Sequence, residues 1–266
     1  ASMIPARDDN QDFPYWLLAV VGIGVYLFYR VISDDFGAQL LSTLTKGVKV
    51  TVFVTLVGFF LASTLGLLLA LGASSKYIII RQVTRFYVEV VRGVPIIVLL
   101  LYVAFVLAPV LVELWNWLTG FLGLEPARTR SFSLLWRAII ALTIAYSAFI
   151  AEVFRAGLQS VDQGQIEAAS ALGLSRWQRF RLIVFPQAIR TILPPLGNDF
   201  VALVKDSSLV WVLGVLDITQ LGKVSAASNF RYFETYNVVA LIYLTMTIGL
   251  SLALRRLEHH LRQKEG

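Results

Sequence analysis

The sequence predicts an all-α integral membrane protein, and two properties of the chain support this fold class. First, 57% of the 266 residues are hydrophobic and only 15% are charged, whereas soluble domains carry charge at roughly a quarter of their positions. Second, the chain contains apolar runs of the length, about 20 residues, that a helix needs to cross a bilayer. Six such runs are found, at 14–32, 47–73, 88–112, 134–156, 192–216 and 236–254.

The first run, "PYWLLAVVGIGVYLFYRVI", is predicted to be an accessory helix. The acidic "RDDNQD" precedes it and no small-residue cleavage site follows it, so a retained anchor is favoured over a signal peptide. It offers no polar residue suited to a buried site. We therefore assign 1–38 to a cytoplasmic segment with this helix, 39–258 to the main membrane domain, and 259–266 to a cytoplasmic tail.

Basic residues predict the orientation of the chain, because cytoplasmic loops retain Lys and Arg. They concentrate in alternate loops and after the last span: Lys76, Arg81 and Arg85; Arg155, Arg176, Arg179, Arg181 and Arg190; Arg255, Arg256, Arg262 and Lys264. Both termini are therefore predicted to be cytoplasmic. The same loops account for the net charge of +6, so membrane lipid is the expected surrounding and nucleic acid is not an expected partner.

Several chemistries lack the residues that they need. Without cysteine, disulfides and thiolate sites are excluded, and the two histidines lie together in the tail, so no metal site is predicted. The sequence contains no Ser-His-Asp set and no paired carboxylates, so it does not favour a membrane-anchored enzyme or scaffold. The best approach to a phosphate-binding loop is Leu221-Gly222-Lys223, with Asp217 where the first glycine belongs. The chain is therefore not expected to bind or hydrolyse ATP itself.

The longest polar stretch, 160–190, is predicted to form two short helices that meet at a tight corner. Asp162 and Ser175 each precede a glutamine by three residues, which is capping-box spacing, and Gly173 stands where a left-handed residue would end the first helix. Phe185 and Pro186 are predicted to stop the second helix. We refer to 160–190 as the hairpin.

The second helix of the hairpin has an apolar stripe, Trp177, Phe180 and Val184, between Arg176 and Arg179. A DNA-binding helix-turn-helix would share this pattern, but the space between two spans leaves no room for its third helix. The stripe and its basic rim favour a docking surface for a soluble protein. A helix lying on lipid headgroups remains the alternative.

The hairpin also carries the residues of a known motif. Glu167, Ala168, Ala169, Gly173, Ile183 and Pro186 stand at the spacing of the EAA motif, E-A-A-x3-G-x9-I-x-L-P, with Phe185 in place of leucine. "YVEVVRGVP" (87–95) and "FPQAIRTILPPLGNDFVALVKDSSL" (185–209) are similar to segments of polar amino acid permeases. Over 40–255 the chain resembles the transmembrane permease subunit of a bacterial polar amino acid ABC importer, of the histidine, glutamine and general amino acid permease family.

This resemblance implies a type I ABC importer transmembrane domain with a five-helix core, preceded here by one extra helix. It implies an inner-membrane location, pairing with an identical or homologous permease subunit, and an extracytoplasmic amino acid binding protein that delivers the substrate. It also implies a dimeric ATP-binding subunit, on which ATP and Mg would be bound. The residues implied in coupling to that subunit are Glu167, Ala168, Ala169, Gly173, Arg176, Arg179 and Pro186.

Glu167 has two interpretations. It is expected to hold the corner by accepting hydrogen bonds from the backbone or from a nearby arginine. Alternatively, it is a purely structural residue, favoured by the positive end of the helix dipole at a helix start.

Charged residues inside membrane spans are costly and usually serve a function. The candidates for the substrate path are Glu89, Arg92, Asn198, Asp199, Lys205, Asp206 and Ser207. Two structural alternatives stay open: an interhelical salt bridge in the fifth span, and an ion pair between Glu89 and Arg92 three residues apart. Pro95, Pro194 and Pro195 are candidates for helix breaks, although the last two could instead start a helix. An ion-coupled secondary transporter, using Asp199 and Asp206 directly, is the alternative function.

Overall fold

The computed structural model describes residues 15–263, and no strand occurs within that range. The all-α prediction is confirmed. In chain order the helices are α1 (Tyr15–Ile32), α2 (Asp35–Ala73), α3 (Ile78–Gly93), α4 (Ile96–Tyr102), α5 (Ala108–Thr119), α6 (Leu134–Gln159), α7 (Gln163–Ala171), α8 (Arg176–Arg179), α9 (Phe185–Asp206), α10 (Ile218–Asn229) and α11 (Tyr232–Gln263).

Within residues 15–263, five helical segments are long and apolar enough to cross a membrane. They are Tyr15–Ile32, Asp35–Ala73, Ile96–Leu122, Leu134–Gln159 and Tyr232–His260. The predicted apolar span at 192–216 is not among them, because its residues divide between α9 and the 3-10 segment Ser207–Leu213. Asp199, Lys205 and Asp206 make the end of α9 polar, and α9 is held by packing against α6, α11 and α2.

The third predicted span, 88–112, is wrong in its boundaries. Helix α3 ends at Gly93, Val94 and Pro95 are extended, and α4 begins at Ile96. Proline fixes its own φ and disfavours helix at the preceding residue, so the predicted break at Pro95 is confirmed. Glu89 and Arg92 therefore lie on a separate helix that precedes the span.

Other prolines lie within continuous helical structure. The prediction that Phe185 and Pro186 stop the second hairpin helix is wrong. A π turn at Phe180–Val184 joins α8 to α9, and the helical structure continues through Pro186. A second π turn, Val103–Leu107, likewise precedes the proline at the start of α5. A π turn changes the hydrogen-bond register just where proline supplies no N–H. Pro194 and Pro195 lie inside α9 and neither break nor start a helix.

The core is built around α6, which packs against α2, α9, α3 and α4. Small residues permit the close crossing of α2 and α6: a Cβ atom on Gly66 would lie 2.9 Å from Cγ2 of Ile150 and 3.1 Å from the backbone nitrogen of Ala151. Such small residues are typical of helix interfaces in membranes, where they allow backbones to approach. The main apolar core includes fully buried Leu142 and Leu203.

Helix α1 lies at the periphery of the described structure. None of its residues is buried, and it contacts α2 and α11. Helix α2 begins at Asp35, after the N-cap Asp34.

A buried arginine secures the segment that leads into α6. The Arg137 side chain donates to the backbone oxygens of Phe132 and Ala104, both at 2.9 Å, and to that of Thr129. The Ala104 carbonyl belongs to the π turn Val103–Leu107. Because these carbonyls satisfy the guanidinium, Arg137 ties the 129–132 segment to the irregular part of the neighbouring span.

Candidate functional site

The corner of the hairpin has the predicted caps. Asp162 Oδ1 accepts the backbone N–H of Gln165 at 3.2 Å. Ser175 and Gln178 form a complete capping box, in which Gln178 Oε1 accepts from the Ser175 N–H at 2.8 Å and Ser175 Oγ accepts from the Gln178 N–H at 3.3 Å. These bonds fix the starts of α7 and α8, so the chain between them is short and its direction is defined.

Gly173 makes the turn between the two helices. Its φ is +80°, a left-handed conformation that glycine adopts without steric cost. The Gly173 N–H donates to the Ser170 oxygen at 3.0 Å and the Leu174 N–H to the Ala169 oxygen at 3.2 Å, which is the Schellman arrangement. A Cβ atom on Gly173 would meet nothing within 4 Å. The requirement for glycine is therefore conformational and not one of space.

Side chains across the corner hold α7 to the following helical segment. The Arg179 guanidinium donates to Ser170 Oγ, and Gln187 Nε2 donates to Gln165 Oε1 at 2.6 Å. The sequence marks Arg179 as part of the docking rim and Gln165 as a capping-box position, but it gives no signal at Ser170 or Gln187. Their separation along the chain gives no periodic signal, so only the fold identifies them as partners.

Glu167 does not hold the corner, and that prediction is wrong. In the described part of the chain its carboxylate accepts no hydrogen bond and joins no ion pair, and the side chain is exposed. It is also the fifth residue of α7 and lies outside the first turn, where the helix dipole acts most strongly. Neither interpretation made from the sequence fits, so its carboxylate is available to another molecule.

The hairpin rests on α6 and α9 through a small apolar cluster. Val161, Ala188 and Ile192 are buried, and Ile166 and Val184 pack against them. Only Val184 of the predicted stripe points into this cluster. Trp177 and Phe180 are exposed and stack on each other at 5.9 Å between ring centroids. The cluster therefore joins α7 to the ends of α6 and α9.

The closest crossing beneath the hairpin is at Gly157 of α6. A Cβ atom there would lie 2.2 Å from Cγ1 of Ile192. We expect Gly157→Ala to destabilise the chain by about 1–3 kcal/mol, the usual cost of overpacking, and to lower its melting temperature in detergent. Adding Ile192→Ala should recover part of the loss, because it removes the clashing atoms. Equal destabilisation of the single and double variants would contradict this account of the crossing.

The free surface of the hairpin combines charge with large apolar side chains. Leu172 is 81% exposed and Trp177 is 66% exposed. Glu167, Ala168 and Arg176 are exposed as well, whereas Ala169 is buried within the chain. We call Glu167, Ala168, Leu172, Arg176 and Trp177 the hairpin surface. Large exposed apolar groups rimmed by charge mark an interaction site.

A second site lies on one face of α6, within the membrane domain. Tyr146 Oη donates to Asp206 Oδ2 at 2.7 Å. Asp199, seven residues before Asp206 on α9, has a buried Oδ2 with no hydrogen-bond partner among residues 15–263. A buried acceptor without a partner is uncommon and calls for an explanation such as a ligand.

Arg92 approaches the same face of α6 from α3. Its guanidinium carbon lies 5.8 Å from the centre of the Phe149 ring. Within the described residues no ion pair joins Arg92 to Glu89, so the predicted pairing within α3 is wrong, and Glu89 is exposed. Glu152 instead pairs with Arg155 at 2.6 Å. Tyr146 and Phe149 are three residues apart on α6, so Asp206 and Arg92 approach the same side of that helix.

The remaining candidates in this region divide into two groups. Asn198 and Lys205 are exposed on the isolated chain. Ser207 is buried and its hydroxyl donates to the Val204 oxygen at 2.7 Å, so its donor is already used.

Tyr146 was not predicted from the sequence. A tyrosine among apolar residues gives no indication of the aspartate that it bonds, 60 positions away.

Comparisons with known proteins agree with this geometry. The family described as "Binding-protein-dependent transport system inner membrane component" matches residues 62–264. The probable amino-acid permease protein YxeN of Bacillus subtilis is 35% identical over 219 residues, covering 82% of this chain and 91% of the relative. The glutamine transport system permease protein GlnP of Escherichia coli K12 is also 35% identical, with 82% and 93% covered. A solved structure, "Crystal structure of an amino acid ABC transporter with histidines", has a TM-score of 0.71 at 33% identity and covers 85% of this chain and 98% of its own.

Proposed function

Because the chain belongs to the family of binding-protein-dependent transport system inner membrane components, we propose that it couples amino acid transport to ATP hydrolysis on another subunit. It is a permease subunit of the amino acid ABC importer family, with the fold of an ABC transporter transmembrane domain. The relatives give no support to the ion-coupled alternative. The extra helix α1 precedes the region that the family matches.

The hairpin surface supports coupling to a separate ATP-binding subunit. Leu172 and Trp177 are largely exposed, Glu167 has no partner among the described residues, and Gly173 fixes the corner between the two helices. This surface rests on the cluster that joins α6 to α9. Movement of a bound ATP-binding subunit would then displace the membrane helices themselves, which is what a pore subunit without its own nucleotide site requires. ATP and Mg would be bound by that partner.

Two further partners follow from the family. An extracytoplasmic binding protein would deliver the amino acid, and a second permease subunit, identical or homologous, would complete the path. Exposed Asn198 and Lys205 on α9 support the second subunit, because polar side chains at membrane depth need a protein neighbour or an aqueous cavity.

The α6 face described above is the proposed substrate path. An amino acid zwitterion needs acceptors for its ammonium group and donors for its carboxylate. Asp206 supplies a carboxylate bonded to Tyr146, Asp199 supplies a second one on the same helix with a buried oxygen, and Arg92 supplies a guanidinium next to Phe149. Charge-assisted bonds of both signs along one helix face would orient the zwitterion during transport.

The chain lies in the bacterial inner membrane, as its family does. We place both termini on the cytoplasmic side. Leu17, near the start of α1, and His260, near the end of α11, line one cavity, which supports a common side for the two ends. The basic residues Lys76, Arg81 and Arg85, just before α3 and in its first half, support the cytoplasmic assignment.

Reconstitution into liposomes tests the proposed function. The chain, its permease partner, the ATP-binding subunit and the binding protein should together take up a radiolabelled amino acid only when ATP is on the hairpin side. The permease alone should give no uptake in a proton or sodium gradient. Gradient-driven uptake by the permease alone would reject the proposal.

A further inference from the structure

A cavity between α1 and α11 has no role in the function proposed above. Its volume is about 950 Å³, at the upper end of the range of ligand pockets. The residues that line it are Leu17, Gly249, Leu252, Ala253, Arg255, Arg256, His259 and His260. It lies outside both the hairpin and the α6 face.

The lining changes character along the axis of α11. Gly249, Leu252 and Ala253 form its apolar end, and Arg255, Arg256, His259 and His260 form its basic end. From Gly249 to His260 the helix rises about 16 Å at 1.5 Å per residue. The cavity therefore runs from a basic region near the end of the helix to an apolar region deeper along the span.

The positive charge in this cavity is not compensated within the described part of the chain. No carboxylate there pairs with Arg255 or Arg256. Glu258 is an acidic residue in the same part of α11 as Arg255 and Arg256. It lines a different cavity, together with Gly197 and Phe200 of α9. Helix α11 thus turns its acidic side toward α9 and its basic side toward α1.

Gly249 leaves room at the apolar end. A Cβ atom on it would meet nothing within 4 Å, so glycine is not required there for helix packing. Because the space beside it is open and apolar, an acyl chain could lie along the surface of α11 at this point.

We propose that this cavity binds an anionic phospholipid. The phosphate would lie between Arg255 and Arg256, with His259 and His260 beside it, and an acyl chain would follow Leu252 and Gly249 toward the bilayer centre. A basic end at headgroup level and an apolar end in the hydrocarbon match the two parts of such a lipid. The site involves the helix that lies outside the family match, and it does not depend on the proposed transport function.

Native mass spectrometry of the purified full-chain assembly tests the proposal. The assembly should retain phosphatidylglycerol in preference to phosphatidylcholine with the same acyl chains. The double variant Arg255→Gln/Arg256→Gln should lower the affinity for phosphatidylglycerol about 25-fold, since each arginine near a membrane surface contributes about fivefold. The matched control is Arg85→Gln. Arg85 is an exposed arginine of α3 and does not line the cavity.

A second variant separates a lipid from a general effect of charge. Gly249→Leu leaves every charge in place and fills the apolar end, so it should also reduce retention of phosphatidylglycerol. Equal retention of the two lipids, an equal loss in Arg85→Gln, or full retention in Gly249→Leu would overturn the proposal. The proposal would also be overturned if phosphatidylglycerol were retained only after Asp8, Asp9 and Asp12 are changed to asparagine. That result would mean that the acidic N-terminal segment, and not a lipid, normally occupies the cavity.

Discussion

Gly173→Val is expected to reduce ATP-driven amino acid uptake at least tenfold while membrane insertion of the chain is unchanged. A β-branched residue at φ +80° is strained by about 1–3 kcal/mol, and the hairpin can relieve that strain only by opening the corner between α7 and α8. Uptake into liposomes and co-purification of the ATP-binding subunit measure the effect.

The matched control at this position is Gly173→Asn. Asparagine is one of the few residues that accept a left-handed conformation, and its side chain would find open space, so most of the uptake should remain. If the valine variant binds the ATP-binding subunit as well as the unmodified chain does and transports at the same rate, the corner geometry is not the coupling element.

Asp206→Asn is expected to reduce the uptake rate by about 10- to 100-fold with little loss of stability. Asparagine retains an oxygen that can accept from Tyr146, whose hydroxyl lies 2.7 Å from Asp206, but it loses the negative charge proposed for the substrate ammonium. Hydrogen bonds to charged groups contribute about 1.5–3 kcal/mol, which sets the size of the effect. ATP-dependent uptake and the melting temperature of the same preparation should be measured together.

Two further variants distinguish a substrate role from a structural tie between α6 and α9. Tyr146→Phe removes the interhelical bond and leaves the carboxylate, so it should lower the melting temperature more than Asp206→Asn does. Thr245→Val serves as a control, because its hydroxyl donates to Leu241 within α11. If Asp206→Asn loses stability but transports normally per folded molecule, Asp206 only holds the helices together.

Local sequence signals predicted the hairpin well because they act over a few residues. Asp162, Ser175 and Gly173 each define a cap or a turn through bonds to neighbouring backbone groups. The same applies to Pro95, which ends α3 through its own ring and the residue before it. For such features the sequence contains nearly all of the relevant physics.

Features that depend on tertiary packing could not be predicted in this way. Pro194 and Pro195 have the same local chemistry as Pro95, yet α9, which packs against α6 and α11, continues through them. The run at 192–216 is predicted from its apolar residues as one span, but in the fold it divides between α9 and the 3-10 segment Ser207–Leu213. The bond from Arg179 to Ser170 and the bond from Tyr146 to Asp206 likewise depend on how the helices meet.

Protection of a single cysteine at Leu172 tests most directly whether the hairpin is the docking surface. The chain contains no cysteine and Leu172 is 81% exposed, so Leu172→Cys would be the only site for a polar maleimide. Leu124→Cys, at an exposed position between α5 and α6, is the control. In the detergent-solubilised assembly, the ATP-binding subunit should slow labelling of Leu172→Cys at least tenfold and leave Leu124→Cys unaffected. Unchanged labelling of Leu172→Cys in an assembly that hydrolyses ATP and transports would contradict the account.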